Sequence, residues 1–135
     1  DDYLLLTQNS TILGKNLDKW YQINEPTWKR PLNVAAHHII PASHPLAQDA
    51  RNILKKYGID INDAVNGVFL PTTDSSTQSG IKHNGSHPRD YIEKVNEEIK
   101  IANQLGGEAA VRLRLEQLRD ILSNAQKSDS WRNVL

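Results

Sequence analysis

The chain has 135 residues, and its 16 basic and 16 acidic side chains give a formal net charge of zero. This length suits one domain with a buried core. Zero net charge argues against a protein that coats nucleic acid through a broad positive field, although it permits a local grip on a few phosphates. The absence of cysteine excludes disulfides and thiolate metal sites, so transition-metal ligands must be imidazoles or carboxylates.

The ends and the hydropathy of the chain bound its setting. No stretch is long and apolar enough to cross a bilayer, so we expect no membrane partner. The chain begins with Asp1-Asp2-Tyr3-Leu4, which lacks an initiator methionine and the basic region of a signal peptide. We therefore expect the sequence to be a fragment of a larger protein.

Residues 1–30 carry short apolar runs among polar side chains, and we interpret them as an extension that covers the core. We expect Leu4-Leu5-Leu6 and Ile12-Leu13 to pack on the body of the domain. Apolar and aromatic residues recur here at helical spacing, at Leu17, Trp20 and Tyr21.

Two short strands and a helix are predicted for the middle of the chain. Val34–Ile40 is an apolar, partly β-branched run between two prolines, which favours a strand. Apolar positions recur at spacings of three and four across Pro45–Tyr57, which predicts an amphipathic helix that Gly58 is placed to end. Gly67–Leu70, before Pro71, predicts the second strand.

Two further helices are predicted after a polar loop over Thr72–Gly80. The first begins at Ser86 or His87, with Pro88 in its first turn, and ends at Gly106-Gly107. Its buried face is formed by Tyr91, Ile92, Val95, Ile99 and Ala102. The second runs from about residue 108 to residue 125, with an apolar stripe of Val111, Leu115, Leu118 and Leu122. We place the core of the domain at about residues 31–105.

Four of the five histidines form two tight pairs, His37-His38 and His83-x-x-x-His87. Adjacent strand residues point to opposite faces, so the members of the first pair are predicted to have different roles. One binds a divalent metal ion, and the other serves as a general base at neutral pH. A loop leading into a helix would allow the second pair to converge on the same ion. This pattern predicts the chemistry that hydrolyses a nucleic-acid phosphodiester.

Other polar residues in this region have simpler alternatives. His44 is expected to be a surface or capping residue. Asn66 either shapes a turn with Gly67 or bridges the loop ahead of it and fixes the backbone that carries the first histidine pair. Asp60 and Asp63 are candidate metal ligands, but the favoured interpretation is that they cap local turns, as aspartate before a strand usually does.

Lys82 and Arg89 flank the second histidine pair and are candidate substrate-binding residues. Their closeness to the histidines indicates contacts with phosphates. The alternative is that both are ordinary solvated side chains.

Three blocks of the sequence, in this order, resemble the AHH family of the HNH/endonuclease VII superfamily. They are Ala36–Pro41, Leu54–Pro71, and His83–Pro88 followed by Tyr91. The resemblance runs from about residue 35 to residue 95, nearly half of the chain.

The resemblance implies an α+β fold with a ββα-metal core and flanking helices, predominantly helical overall. Residues 1–135 would then form a single nuclease domain, a metal-dependent endonuclease with one divalent ion: zinc, magnesium, manganese or nickel. The metal-binding positions correspond to His37, His83 and His87. His38 takes the position of the general base, and Asn66 that of the central asparagine of the catalytic site.

AHH domains are similar to toxin modules at the C-terminal end of large bacterial polymorphic toxins. The resemblance therefore implies a secreted or injected effector that acts in the target-cell cytoplasm and is neutralised by a cognate immunity protein. We expect DNA as the substrate, cleaved with little sequence preference, since nothing in the chain resembles a base-reading module.

Three alternatives remain open. The same site would serve an RNase toxin, since RNA presents the same phosphodiester. A non-catalytic structural zinc module would need a coordinatively closed site, and His38, surplus to three ligands, argues against it. A protein-binding helical module leaves the histidine spacing unexplained.

Overall fold

The computed structural model describes the backbone of residues 2–135 and the side chains of residues 9–135. This range contains three α-helices and a two-stranded sheet. In chain order they are α1 (Asp2–Asn24), β1 (Val34–His38), α2 (Gln48–Lys56), β2 (Gly67–Pro71) and α3 (Arg89–Asn124). Short 3₁₀ turns at Pro45–Ala47 and Ala64–Asn66 precede α2 and β2. The predicted α+β class is confirmed, with helices outweighing strands.

The two strands pair antiparallel, with Val34 opposite Pro71 and His38 opposite Gly67. The sheet is covered on both faces. On one face, Phe69 packs with Leu13 and Leu17 of α1. On the other, Val68 and Leu70 join a cluster that contains the apolar residues of α2 and α3. Burial on both faces explains why every residue of β2 is buried.

The N-terminal segment, predicted as an extension that covers the core, forms helix α1. Leu13 is fully buried as expected, but Ile12 is 46% exposed and Trp20 37% exposed. Neighbouring helical residues point about 100° apart, so one member of the Ile12-Leu13 pair must face away from the sheet. The expectation for Leu4-Leu5-Leu6 lies outside the described side chains.

Helix α3 has two arms that meet at Gly106 and Gly107, where the backbone leaves helical geometry. Gly107 adopts a φ of 64° and a ψ of −145°, a combination that requires glycine. The predicted break is thus confirmed. Both arms contribute to one core cluster, through Val95 and Ile99 on the first and Val111 and Leu115 on the second. The helix predicted from about residue 108 to residue 125 therefore builds the core beside the predicted 31–105 segment.

Helix α3 begins two or three residues later than predicted. Pro88 has an extended backbone (φ −67°, ψ 153°) and caps the helix, which begins at Arg89. His87 therefore lies in the preceding loop.

Among the residues that the structure describes, no helix combines the length and apolar character that a membrane span requires.

The first strand ends two residues earlier than predicted because Asn66 takes over the pairing of the chain beyond His38. The Asn66 carbonyl accepts from the Ile39 amide at 2.8 Å, and Asn66 Oδ1 accepts from the Ile40 amide at 2.8 Å. Its Nδ2 donates to the carbonyls of Ile40 at 3.1 Å and Ile61 at 3.0 Å. The Asn66 side chain is fully buried. It thus bridges the two segments that flank the histidine doublet, as one of the two sequence interpretations proposed.

Replacing Asn66 by alanine should destabilise the fold. The Ile40 amide and the carbonyls of Ile40 and Ile61 would lose a buried partner, and one unsatisfied buried group costs about 1–3 kcal/mol. We expect the free energy of unfolding, measured by denaturant titration, to fall by at least that amount. The exposed Asn52→Ala variant is the control, with an expected change within about 0.5 kcal/mol. Equal stability of the two variants would contradict the bridging role.

Candidate metal centre

Three histidines from separate parts of the fold converge on the face of the sheet that α3 covers. His37 lies on β1, His83 follows β2, and His87 precedes α3. Their ring centroids are 5.4 Å apart for His37 and His83, 4.7 Å for His37 and His87, and 5.2 Å for His83 and His87. One ring nitrogen from each lies within 4.8 Å of the others. The structure thus brings together the three residues predicted as metal ligands.

The loop between His83 and His87 makes this convergence possible. The His83 amide donates to the Pro71 carbonyl at 2.7 Å, which fixes the loop to the end of β2. Gly85 has a φ of 86°, in the region that favours glycine, and the chain bends there. The second pair is therefore assembled by a loop, as predicted, and not by helical i, i+4 spacing.

Burial keeps these imidazoles neutral. The pKa of His37 lies well below its ordinary value, first because the ring is buried and then because charges on His87, His83 and His38 would repel its own. Burial, followed by His83, lowers the pKa of His87 to about 4. The pKa of His83 is lowered by burial and then by His38. Neutral imidazole is the form that binds metal ions.

The donor set fits a divalent cation. Within the described side chains, Nδ1 of His87 is the buried polar atom that lacks a hydrogen-bond partner. Buried polar groups are rarely left unpaired unless a ligand completes them. Late divalent ions prefer neutral imidazole ligands. The three histidines offer three such ligands, one of them with a free buried nitrogen, and could hold one ion.

Two aromatic side chains surround the cluster. The hydroxyl of Tyr91 lies 2.9 Å from Nε2 of His37 and donates to the Ile39 carbonyl at 3.4 Å. Such outer partners commonly orient metal-binding histidines. The indole of Trp131 lies 4.3 Å from the His87 ring, and its Nε1 donates to the Lys82 carbonyl at 2.9 Å. Sequence reasoning placed Tyr91 on a buried helix face and in the family resemblance but gave it no role at the site. It missed Trp131, for which a lone aromatic in a polar tail was the available signal.

His38 projects from the opposite face of β1. Its Nε2 lies 2.7 Å from Oδ1 of Asn62. Burial lowers the pKa of His38, while the hydrogen bond with Asn62 and the negative charge of Asp60 act in the opposite direction. His38 nevertheless lines the same surface cleft as the three clustered histidines. The predicted division of the doublet between two faces is therefore present, with both faces opening to one cleft.

Other predicted residues take less direct places. Asn66, predicted to be catalytic, is revised to a positioning residue, because its buried amide is used entirely on backbone groups. His44 caps the 3₁₀ turn before α2, where its Nδ1 accepts from the Leu46 amide at 3.1 Å. Asp60 and Asp63 cap local turns by accepting from the amides of Asn62 and Val65.

The two candidate phosphate contacts form ion pairs on the surface. Lys82 lies 2.9 Å from Asp74, and Arg89 lies 2.5 Å from Glu93. Exposed pairs of this kind contribute little free energy, so a phosphate would compete with the carboxylates. The substrate-binding role of both residues stays a prediction.

Comparisons with known proteins agree with the geometry. No curated protein and no solved structure matches the chain. A family model does match, over residues 20–128, and describes a nuclease family of the HNH/ENDO VII superfamily with a conserved AHH motif. The match is broader than the predicted region of about residues 35–95, and it contains Ala36-His37-His38. The chain belongs to the AHH nuclease family.

Proposed function

We propose that this domain is a metal-dependent endonuclease that hydrolyses DNA phosphodiesters with little sequence preference. The observation that carries the proposal is the placement of His38 in the same cleft as His37, His83 and His87. Three histidines supply a cation site, and the fourth supplies a base. Membership of a nuclease family supports phosphodiester hydrolysis as the reaction.

His37, His83 and His87 would hold one divalent ion. Imidazole donors favour zinc or nickel among the four predicted metals, since magnesium prefers oxygen ligands and manganese lies low in the order of affinities. When bound, such an ion polarises the phosphate and stabilises charge on the leaving oxygen. The protein contributes neutral ligands, because burial lowers the pKa of each of the three rings.

His38 acts as the general base in this proposal. A neutral ring accepts a proton from the attacking water, and burial favours the neutral form of His38. The ring is part-buried and fixed by Asn62, so its direction relative to the cleft is set before substrate binds. Lys82 and Arg89 flank the second histidine pair in the sequence, and in this proposal they exchange their carboxylate partners for phosphates.

The resemblance to toxin modules supports a proposal about the biological setting. We propose a secreted or injected effector that acts in the cytoplasm of a target bacterium, with a cognate immunity protein in the producing cell. The zero net charge is compatible with a nuclease that binds phosphates at the cleft and not over a broad basic surface.

An RNase remains the second candidate for the substrate, because both nucleic acids present the same bond. A closed structural zinc site is less well supported. A closed site would leave unexplained why His38, which is not one of the three clustered histidines, lines the same cleft.

Metal binding should depend on His87 and not on His44. His87→Ala removes one of three ligands, and we expect the affinity for zinc or nickel to fall by more than about 10-fold, since loss of even an outer partner costs about 10–100-fold. His44→Ala is the matched control, because this ring caps a turn and lines the same cleft but is not one of the three clustered histidines. Calorimetric titration measures both. Unchanged affinity in His87→Ala would refute the ligand assignment.

The two neighbours in the doublet should fail differently. His38→Ala should keep the metal and the fold but lose turnover by about 10²- to 10⁴-fold, as expected for loss of a general base. His37→Ala should lose metal affinity together with activity. Cleavage rates beside metal titrations decide between them. Loss of metal binding in His38→Ala with retention in His37→Ala would reverse the two roles.

Substrate class is decided by direct cleavage. Plasmid DNA and total RNA, each incubated with the domain with and without a chelator, should show nicking of the plasmid that the chelator abolishes. Cleavage of RNA alone would favour the second candidate, and no cleavage of either would contradict the proposal.

Production of the unmutated domain in bacteria should also arrest growth unless an inhibitor is co-expressed. Expression of His38→Ala is the control and should be tolerated. Equal growth of both cultures with soluble, folded protein would count against a toxin.

A further inference from the structure

Asn62 is not among the site residues predicted from the sequence, yet its side chain forms a hydrogen bond with His38. Its Oδ1 is 2.7 Å from Nε2 of the ring. An amide oxygen accepts hydrogen bonds and cannot donate them. The contact therefore requires the proton of neutral His38 to lie on Nε2, which leaves the lone pair on Nδ1.

The amide of Asn62 is held in this orientation by α1. Its Nδ2 donates to Oδ1 of Asn9 at 3.1 Å. The backbone carbonyl of Asn62 accepts from Nδ2 of Asn16 at 2.7 Å, and the backbone amide of Asn62 donates to Oδ1 of Asp60 at 2.7 Å. Asn62 is only 6% exposed. Each polar group of Asn62 thus has a partner, and the side chain is fixed before substrate binds.

We propose that Asn62 is a positioning residue that holds His38 as the Nε2–H tautomer and directs Nδ1 to the attacking water. The proposal rests on the proposed function of His38 as the base. In this arrangement one water proton passes to Nδ1 and the water oxygen bonds to phosphorus. The P–O bond to the leaving oxygen breaks, and that oxygen takes the electron pair and is then protonated from solvent. Nε2–H keeps its bond to Asn62 throughout, so the positive ring formed on proton transfer is stabilised by an acceptor already in place.

The arrangement also gives α1 a part in the site. Asn9 and Asn16 are seven residues apart, about two helical turns, and so lie on one face of the helix. Both precede residue 20, where the family match begins. The support of Asn62 by α1 therefore comes from a part of this chain outside the matched region.

The tautomer of His38 can be measured without an activity assay. Long-range ¹H–¹⁵N correlation spectra of the metal-free full chain, at a pH where His38 is neutral, report which ring nitrogen carries the proton. We expect a protonated Nε2 and an unprotonated Nδ1 in the parent protein. A protonated Nδ1 would mean that the Asn62 amide is reversed, and would overturn the proposal.

Three variants then separate positioning from folding. Asn62→Ala should lose the tautomer preference and lower kcat by about 10- to 10²-fold with little change in KM, less than removal of the base itself. Asn62→Asp keeps an acceptor for Nε2–H and should retain the parent tautomer and most of kcat. Asn52→Ala, an exposed asparagine on α2, is the control and should behave like the parent.

The outcomes distinguish this proposal from the one on which it rests. If His38→Ala cleaves like the parent, the assignment of the base fails whatever the tautomer. If His38→Ala is inactive but Asn62→Ala keeps the parent spectrum and kcat, the base stands and the positioning role of Asn62 is wrong. Should Asn62→Ala fail to fold, the parent spectrum and Asn62→Asp still decide.

Discussion

The antiparallel pairing of β1 with β2 is the constraint on which the site depends. Because side chains alternate along a strand, the pairing sends His37 toward α3 and His38 toward α1. Two chemically identical neighbours thereby enter different surroundings. A shift of one residue in register would exchange them, and the apolar neighbours Val68 and Phe69 resist such a shift because each is buried on its own face.

Burial sets the chemistry of the cluster. Three imidazoles packed between Trp131, Tyr91 and the sheet edge are poor sites for protons, since desolvation and mutual repulsion both disfavour a charge. The same rings keep lone pairs available at neutral pH. Polar side chains thus occupy core positions where apolar side chains would be more stable, which is typical of sites retained for binding.

Much of this arrangement could be predicted from the sequence, because local periodicity determines it. The strands, α2 and both arms of α3 follow from apolar spacing and from glycines at their ends, and the histidine spacing identified the cluster. Asn62 and Trp131 could not be predicted in the same way. Their partners lie far along the chain, Asn9 and Asn16 for Asn62 and Lys82 for Trp131, and local spacing carries no information about such contacts. Asn66 was found but assigned too direct a role, since burial cannot be read from an Asn-Gly turn.

The neutrality of the chain and its assignment to a nuclease family are compatible once the location of charge is considered. Three neutral imidazoles do not offset the charge of a divalent ion, so an occupied cluster would be a concentrated positive site in a domain whose surface charges cancel. Lys82 and Arg89, already paired with carboxylates, add little to that field. Attraction for phosphate would then depend on metal occupancy more than on surface lysines and arginines. Metal and substrate would bind cooperatively, because each supplies the charge that the other lacks.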